Sequence, residues 1–489
     1  MRMLLYWKND KGDTYMSTKN KVVGYLPEDT PEFGKLLLYA LQQVIVMFPA
    51  TITVALITGF QVSTTIFASG LATLCFAFIT KKKIPLYYGS SFAYLSAVAA
   101  MAMAEGSADQ IAAWQATGIL PPELISKAQF GIIMSGFVSI AAGLVVKKFG
   151  ADKVEKFLPA SITGSVSMVI GLTLAGNAMS DFLGIGGSIN GLDVTQGSGV
   201  ATAWLIVGLV TFLSTCFYSR YLKGLLSQLP LLLGVLTGCL VAAVFNFAGG
   251  INLFRSVPAE ALAASSFKLG DGSFFALPAF TLPKYSLTAL IGIMPIAIAT
   301  IPESTAHIYQ LDIYVNDVAK EKGAPKHDLV ALLGDNLVGD GLCDMISGFV
   351  GGPAGTNYGE NISTMAITRV FSVPVLMVAS IIAMIVACFT PLIKVIYGIP
   401  LAVIGGIEVY CFGAIAAQGI AILIDKGVSM FDSKNIAVIA LVCIIGLGGQ
   451  YAFGGTIPFF SMNIPCIACA AIFGILLNFL LSVGDRFEA

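Results

Sequence analysis

Glu303 and His307 sit four residues apart at the end of the run ALIGIMPIAIATIPESTAHIYQ. That spacing is one helical turn, so both project from one face and can share a proton. An ionisable group inside an apolar run costs several kcal/mol at the centre of a bilayer, roughly, unless it is paired or functional. A surface pair at the end of the run fits the same spacing. A second carboxylate, Glu360, lies in GPAGTNYGENISTMAITR (352–369), a glycine-broken polar stretch between long apolar segments. Asp335, Asp340 and Asp344 fall in HDLVALLGDNLVGDGLCDMISG. Asp340 and Asp344 are again one turn apart, which suits a polar lining face as well as capping or interhelical hydrogen bonds. The glycines interrupt any calcium-loop spacing, so no metal site is expected there. Glu408, in LAVIGGIEVYCFG, is a lone acid without an obvious partner. It suits a translocation path or a polar dimer contact. His327 stands beside Lys326 in a basic loop, where solvation is expected, and Arg369 suits an anchor at the cytoplasmic end of its span.

Groups of this kind need a scaffold, and the composition says which. Of 489 residues, 56% are hydrophobic and 11% charged, with a mean hydropathy of +0.85. That is the composition of a polytopic helical membrane protein in a lipid bilayer. A net charge of −1 without a basic patch excludes a nucleic-acid partner. The nine cysteines all lie in or beside apolar runs and read as small packing residues, including the Cys466–Cys469 CxxC inside IPCIACAAIFGILL. With two histidines and no nucleophile–base or metal cluster, an enzyme is not expected, nor is a cofactor other than a proton as coupling ion. No Walker lysine motif points to ATP hydrolysis. The run MLLYW is too short for a signal-peptide core, and Met16 is an alternative start.

Apolar runs long enough to cross about 30 Å of hydrocarbon predict fourteen spans, at 36–59, 62–80, 85–104, 129–147, 157–177, 200–218, 225–248, 285–304, 328–350, 357–370, 372–392, 398–423, 435–449 and 462–482. Basic residues crowd into alternate loops: the N-terminal segment 1–35, Lys81 to Lys83, Lys147 to Lys156, Arg220 with Lys223, Lys320 to Lys326, and Lys426 with Lys434. This asymmetry places both termini in the cytoplasm. Lys394 and the long loop 249–284 depart from the pattern.

The chain also reads as two halves of seven spans. The third span of each half is interrupted, by IPLYYGSSFAYLS (84–96) and by GPAGTNYGENIS (352–363). An odd number of spans inverts the second half, and matched interruptions are the mark of a transporter with inverted repeats and a midplane site. Backbone that leaves helical geometry at membrane depth is tolerated where protein or a polar ligand meets it, and Gly89, Gly355 and Gly359 ease that departure. Helices restarting near Phe92 and Glu360 would aim free N–H groups at one point. Packing kinks or loops at the membrane surface are the alternative.

The stretch YGENISTMAITR resembles the signature of the nucleobase–ascorbate transporters, the nucleobase cation symporters, and in particular their bacterial uracil permease branch. PLYYGSSFAYLS, VVKKFG with FLPASITGSVSMVIGLTLAG, and IPLAVIGG extend the resemblance over nearly the whole chain from about residue 36. It implies an all-α fold of fourteen transmembrane segments in two inverted seven-span repeats, with short extended pieces in the broken third and tenth spans. It implies a core domain (36–150 and 285–392) and a gate domain (151–250 and 393–484), a homodimer in the bacterial cytoplasmic membrane, and proton-coupled import of uracil or a related nucleobase. Carried over residue by residue, substrate binding falls to Phe92, Glu303, Tyr358, Gly359 and Glu360, and proton coupling to Glu303, His307 and Asp340. Uracil offers N–H donors and C=O acceptors on one planar edge, which two carboxylates and backbone N–H groups complement. Phe92 can wall the ring.

Some positions depart from the uracil pattern. Gln43 stands where a first-span histidine is common, Ser363 replaces the signature glycine, Phe412 replaces a gate tyrosine, and Asp340 resembles the ninth-span acid of purine carriers. A xanthine or other purine carrier is therefore the nearest alternative. An anion exchanger of the same fold would instead call for a basic or neutral centre.

Overall fold

The computed structural model describes residues 24–150, 159–184, 188–189, 192–194, 198–223, 226, 229–256, 274–459 and 462–484. The N-terminal segment up to residue 23 lies outside the described residues, as do 151–158 in the basic loop and 257–273 in the long one.

In chain order, α1 (Phe33–Thr58) and α2 (Val62–Ile79) lead into the strand β1 (Tyr88–Ser90), a 3-10 turn at Phe92–Tyr94 and α3 (Leu95–Glu105). Then come α4 (Ala108–Thr117), α5 (Pro122–Phe149), α6 (Ala160–Thr173), α7 (Ala175–Leu183), β2 (Ser188–Ile189), β3 (Leu192–Asp193), α8 (Gly199–Tyr221) and α9 (Pro230–Gly249). The second half runs α10 (Leu287–Ile293), a 3-10 turn, α11 (Ala297–Lys322), α12 (Leu333–Val350), β4 (Gly355–Asn357), α13 (Gly359–Thr368), α14 (Val373–Ala387) and α15 (Thr390–Tyr397). It ends with α16 (Leu401–Asp425), α17 (Ser433–Phe453), β5 (Thr456–Phe459), β6 (Met462–Pro465) and α18 (Cys466–Gly484).

Among the described residues, nine helical stretches are long and apolar enough to cross a membrane, and three shorter apolar helices lie at 92–105, 373–387 and 466–482. The two remaining expected spans coincide with α12, which carries Asp335, Asp340 and Asp344 within eighteen residues, and with α13, only ten residues long. Their polarity and brevity follow from the site they build.

Two sets of helices each pack mainly within themselves. α1, α2, α3, α5, α10, α12 and α14 form one, and α6 to α9 with α16 to α18 the other. Small residues let the closest pairs approach. A Cβ on Gly341 of α12 would come 2.3 Å from the Gly136 carbonyl of α5, and one on Gly419 of α16 would come 2.5 Å from the Gly164 carbonyl of α6. The seams thus couple the fourth expected span to the ninth and the fifth to the twelfth. α11 borders both sets, touching α5 and α12 on one side and α6 on the other.

Several boundaries differ from the sequence reading. The eighth span does not stop at 304, because α11 continues as an amphipathic helix to Lys322. Glu303 and His307 are therefore mid-helix residues and not a pair at a helix end. α5 begins at Pro122, seven residues before the expected start, since Pro122 suits a first helical turn and LISKAQ sustains it. His327 is not free in solvent. Its ring Nε2 lies 3.2 Å from Glu28 Oε2, and its backbone N–H donates to Asn316 Oδ1 at 2.8 Å. Residues 24–31 form a strap there, with Tyr25 bridging to Val370 and Lys322 paired to Asp29 at 2.5 Å. Arg369 caps α13 with a left-handed backbone (φ 60) and meets Glu321 at 3.2 Å and Asp317 at 3.6 Å, in keeping with an anchor.

Candidate functional site

The two interruptions meet. β1 pairs antiparallel with β4 in the register Tyr88 to Asn357, Gly89 to Thr356 and Ser90 to Gly355. The ribbon is extended at both ends, where Ser91 N–H donates to the Ala354 carbonyl and Tyr358 N–H to the Tyr87 carbonyl, both at 2.9 Å. Backbone groups that would be orphaned in hydrocarbon thus satisfy one another. Glycine is required on both strands. A Cβ on Gly89 would lie 2.2 Å from the Tyr358 ring, and one on Gly355 would lie 2.4 Å from the Gly89 carbonyl and the Tyr88 ring. Gly351, at φ 101, ends α12 and turns the chain into this segment.

Beyond the ribbon both chains coil into helix. Ser91 caps the Phe92–Tyr94 turn by accepting from Ala93 N–H, and Tyr358 is the residue before α13. The first N–H groups of α13, at Gly359, Glu360 and Asn361, have no intrahelical acceptor, and the helix dipole gives that end positive character. Glu360 therefore stands in a turn that favours an acid, with its side chain exposed to the cavity beside it.

That cavity, of about 410 Å³, is lined by Phe92, Glu303, His307, Tyr358, Gly359 and Glu360, with Gln310, Ser363, Tyr410, Cys411 and Gln418 completing its polar and thiol wall. No lysine or arginine is among the described residues that line it. All five expected substrate-binding residues are together, and His307 with them. The His307 ring lies against Gly359, whose missing Cβ would come 3.1 Å from Nε2. Its Nδ1 is buried without a hydrogen-bond partner. Phe92, which lines the cavity, meets Phe412 edge to face with centroids 6.5 Å apart, so the phenylalanine at the expected tyrosine position is buried against Phe92 and does not itself line the cavity. A second cavity of about 420 Å³ shares Thr163, Pro302, Ala306 and Ile422 with the first and continues to Asp425, Lys426 and Asn435.

Asp340 does not line the cavity but lies behind it. Its Oδ2 accepts from Ser304 Oγ, and from Asn357 Nδ2 at 3.1 Å, while Asn336 Nδ2 reaches Ser304 Oγ at 2.8 Å. Asp340 thus ties the residue after Glu303 to the strand that leads to Glu360. The sequence reading missed Ser304, Asn336 and Asn357. Their only local signal was proximity to an acid: Ser304 follows Glu303, Asn336 follows Asp335, and Asn357 lies three residues before Glu360. Asp344 serves the ribbon itself, accepting from Tyr88 Oη on β1 and from Gly355 N–H on β4 at 2.8 Å. Both donors share Oδ1, so Asp344→Ala leaves each of them buried without an acceptor and is expected to cost at least about 1–3 kcal/mol. A lowered melting temperature of the purified protein measures this, and an unchanged one would remove the clasp. α1 contributes too: Thr51 Oγ lies 3.0 Å from Tyr358 Oη, and Gln43 Oε1 accepts from Asn361 Nδ2 at 2.7 Å. Gln43 therefore supports α13 from behind. Glu408 lies away from the cavity and has a partner, Asp181 of α7. Cys466 and Cys469 are buried free thiols, and no metal-ligand cluster occurs among the described residues.

The Permease family profile matches residues 34–455, most of the chain and both interrupted segments. The chain belongs to this permease family. The permease is 33% identical to a uracil permease of Bacillus caldolyticus over 93% of its own length and 94% of the relative's. It is 30% identical to a uracil permease of Bacillus subtilis (97% and 98%) and 31% identical to the putative pyrimidine permease RutG of Escherichia coli (74% and 71%). Among solved structures, the transmembrane domain of the cyanobacterial bicarbonate transporter BicA aligns with a TM-score of 0.56 at 15% identity, covering 92% of this chain and 98% of that one. Murine Slc26a9, an anion transporter captured inward-facing, aligns at 0.62 and 13% (99% and 77%). At those identities the likeness speaks for the fold alone. The permease is a multi-pass membrane transporter with this inverted-repeat fold, not an enzyme.

Proposed function

We propose that the permease imports uracil together with a proton by alternating access. One observation carries the reading: Glu303, Glu360 and Gly359, at the N-terminal end of α13, line one cavity of about 410 Å³. Carboxylates accept from the ring N–H groups of uracil, backbone N–H groups donate to its carbonyls, and Phe92, backed by Phe412, walls the flat ring. The relatives named uracil permease agree with this chemistry. Two acids with no lysine or arginine beside them disfavour an anion, although the fold is shared with anion carriers. A purine is the second reading, favoured by the size of the cavity. Calorimetry on the purified protein tests the substrate: uracil binds and xanthine does not displace it, whereas displacement by xanthine would move the assignment to the purine.

Glu303 and His307 form the proton-coupling pair, and Asp340, linked through Ser304 to the residue beside Glu303, positions them. An acid facing a membrane cavity without a cation is stabilised by protonation, and the nearby imidazole offers the proton a second seat. Glu303→Gln imitates the loaded state. It is expected to retain uracil binding but to lose accumulation against a gradient, while His307→Ala shifts the pH profile of uptake more than it weakens binding. A Glu303→Gln protein that still concentrates uracil in response to a pH gradient would contradict this coupling.

The helix set of α1, α2, α3, α5, α10, α12 and α14 serves as core, and the set of α6 to α9 with α16 to α18 as gate. With the Lys426 end cytoplasmic, the second cavity lies toward the cytoplasm, in keeping with an inward-facing form. Both termini then lie in the cytoplasm of a bacterium, and two copies assemble as a homodimer.

A further inference from the structure

Glu408 is 1% exposed and takes no part in the cavity. Three residues before it on the same face of α16, Gly405 presses the helix directly onto α7. A Cβ there would lie 2.4 Å from Phe182 N and 2.5 Å from the carbonyl carbon of Asp181. The Glu408 carboxyl meets the Asp181 carboxyl across this contact. Glu408 Oε2 is buried with no hydrogen-bond donor from the protein. Two carboxylates side by side offer only acceptors and repel in a low-dielectric setting. One proton between them turns the repulsion into a charge-assisted O–H···O⁻ bond.

The surroundings fit a pair that holds one proton and one negative charge. Arg255 faces Asp181 and is fixed by its backbone N–H to the Gly398 carbonyl at 3.1 Å and by its guanidinium to the Thr117 carbonyl at 3.3 Å. Gly118, at φ 71, leaves room for it, since a Cβ would lie 2.1 Å from the guanidinium. Trp204 Nε1–H of α8 donates to the Asp181 carbonyl at 2.9 Å, which fixes the end of α7. Tyr397 lies within electrostatic reach of Arg255, and Cys411, a cavity residue, follows Glu408 by three residues on α16. Of the other helices against α16, α6 has no titratable residue, α9 has only Cys239, and those of α8 fall between Cys216 and Tyr221 at its opposite end. Two carboxyl groups fall short of the three or more ligating side chains of a metal cluster, none of which occurs among the described residues, whereas a proton needs no more.

We propose that Asp181 and Glu408 form a second proton-binding site, separate from the cavity, whose shared proton latches α7 to α16 and whose loss loosens that contact. Because α16 also carries Tyr410 and Cys411 into the cavity, the latch makes the gate side respond to pH independently of the substrate residues.

The test uses full-length protein in lipid nanodiscs without substrate, so it stands or falls apart from the transport reading. Melting temperature is recorded across pH for the wild type, Glu408→Gln and Asp181→Asn, with infrared detection of the protonated-carboxyl C=O stretch. An amide in either place supplies a permanent donor. The wild type is expected to lose melting temperature and part of its protonated-carboxyl band as the medium becomes alkaline, and both variants to lack that component. Uracil affinity of the variants stays within about twofold of wild type, a difference of roughly 0.4 kcal/mol. If either folded variant keeps the wild-type pH-dependent fall together with the full carboxyl band, the shared-proton site is overturned. Asp181→Asn decides alone should Glu408→Gln not fold.

Discussion

Glu360→Gln is expected to weaken uracil binding at least about tenfold while leaving the fold intact. The side chain stands in the first turn of α13, beside N–H groups that have no carbonyl to serve, and opens into the cavity. A hydrogen bond to a charged group is worth about 1.5–3 kcal/mol, and about 1.4 kcal/mol is a tenfold change in affinity. The amide keeps the shape and one acceptor oxygen but replaces the other with a donor that opposes a ring N–H. Titration calorimetry on wild type and variant measures the difference. Equal affinities in a well-folded variant would remove Glu360 from recognition.

Gly89→Ala is expected to abolish transport altogether. The new methyl carbon would sit 2.2 Å from the Tyr358 ring, a distance no packed carbon tolerates. The ring cannot swing away freely, because its hydroxyl donates to the Ser90 carbonyl at 3.0 Å and meets Thr51. Strand β1 must therefore part from β4, or Tyr358 must leave and carry the start of α13 with it. Either way Phe92 and Glu360 lose their common register. Gly34→Ala, at a helix position where a Cβ meets nothing within 4 Å, is the control and keeps wild-type uptake. Surface quantity of each variant in the membrane is measured alongside uptake. Normal transport by Gly89→Ala would show that the ribbon does not set the site.

The parts legible in the sequence were those with local signals. Glycine, proline and asparagine breaking an apolar run located both interruptions, and a glutamate one turn before a histidine located two residues that line the cavity. The pairing of Tyr88 with Asn357 joins residues more than 250 positions apart, yet the matched breaks in two halves were enough to anticipate it. Other features had no such signal. The end of α11 was obscured because its continuation alternates charged and apolar residues, which reads as a span end by hydropathy and as helix only by periodicity. Asp344 and Asp340 look alike in sequence, and only tertiary packing makes one a clasp for the ribbon and the other an anchor for Ser304 and Asn357. Glu408 looked solitary because Asp181, in the other half of the chain, becomes its neighbour only when Gly405 lets α16 lie on α7.

The account turns on a nucleobase and a proton crossing together, and uptake of labelled uracil into proteoliposomes of the purified permease under an imposed inward proton gradient tests this most directly. Uracil should accumulate above its external concentration, accumulation should collapse with a protonophore, and excess xanthine or chloride should leave it unchanged. Uracil uptake that ignores the gradient, or that xanthine or chloride suppresses, would contradict it.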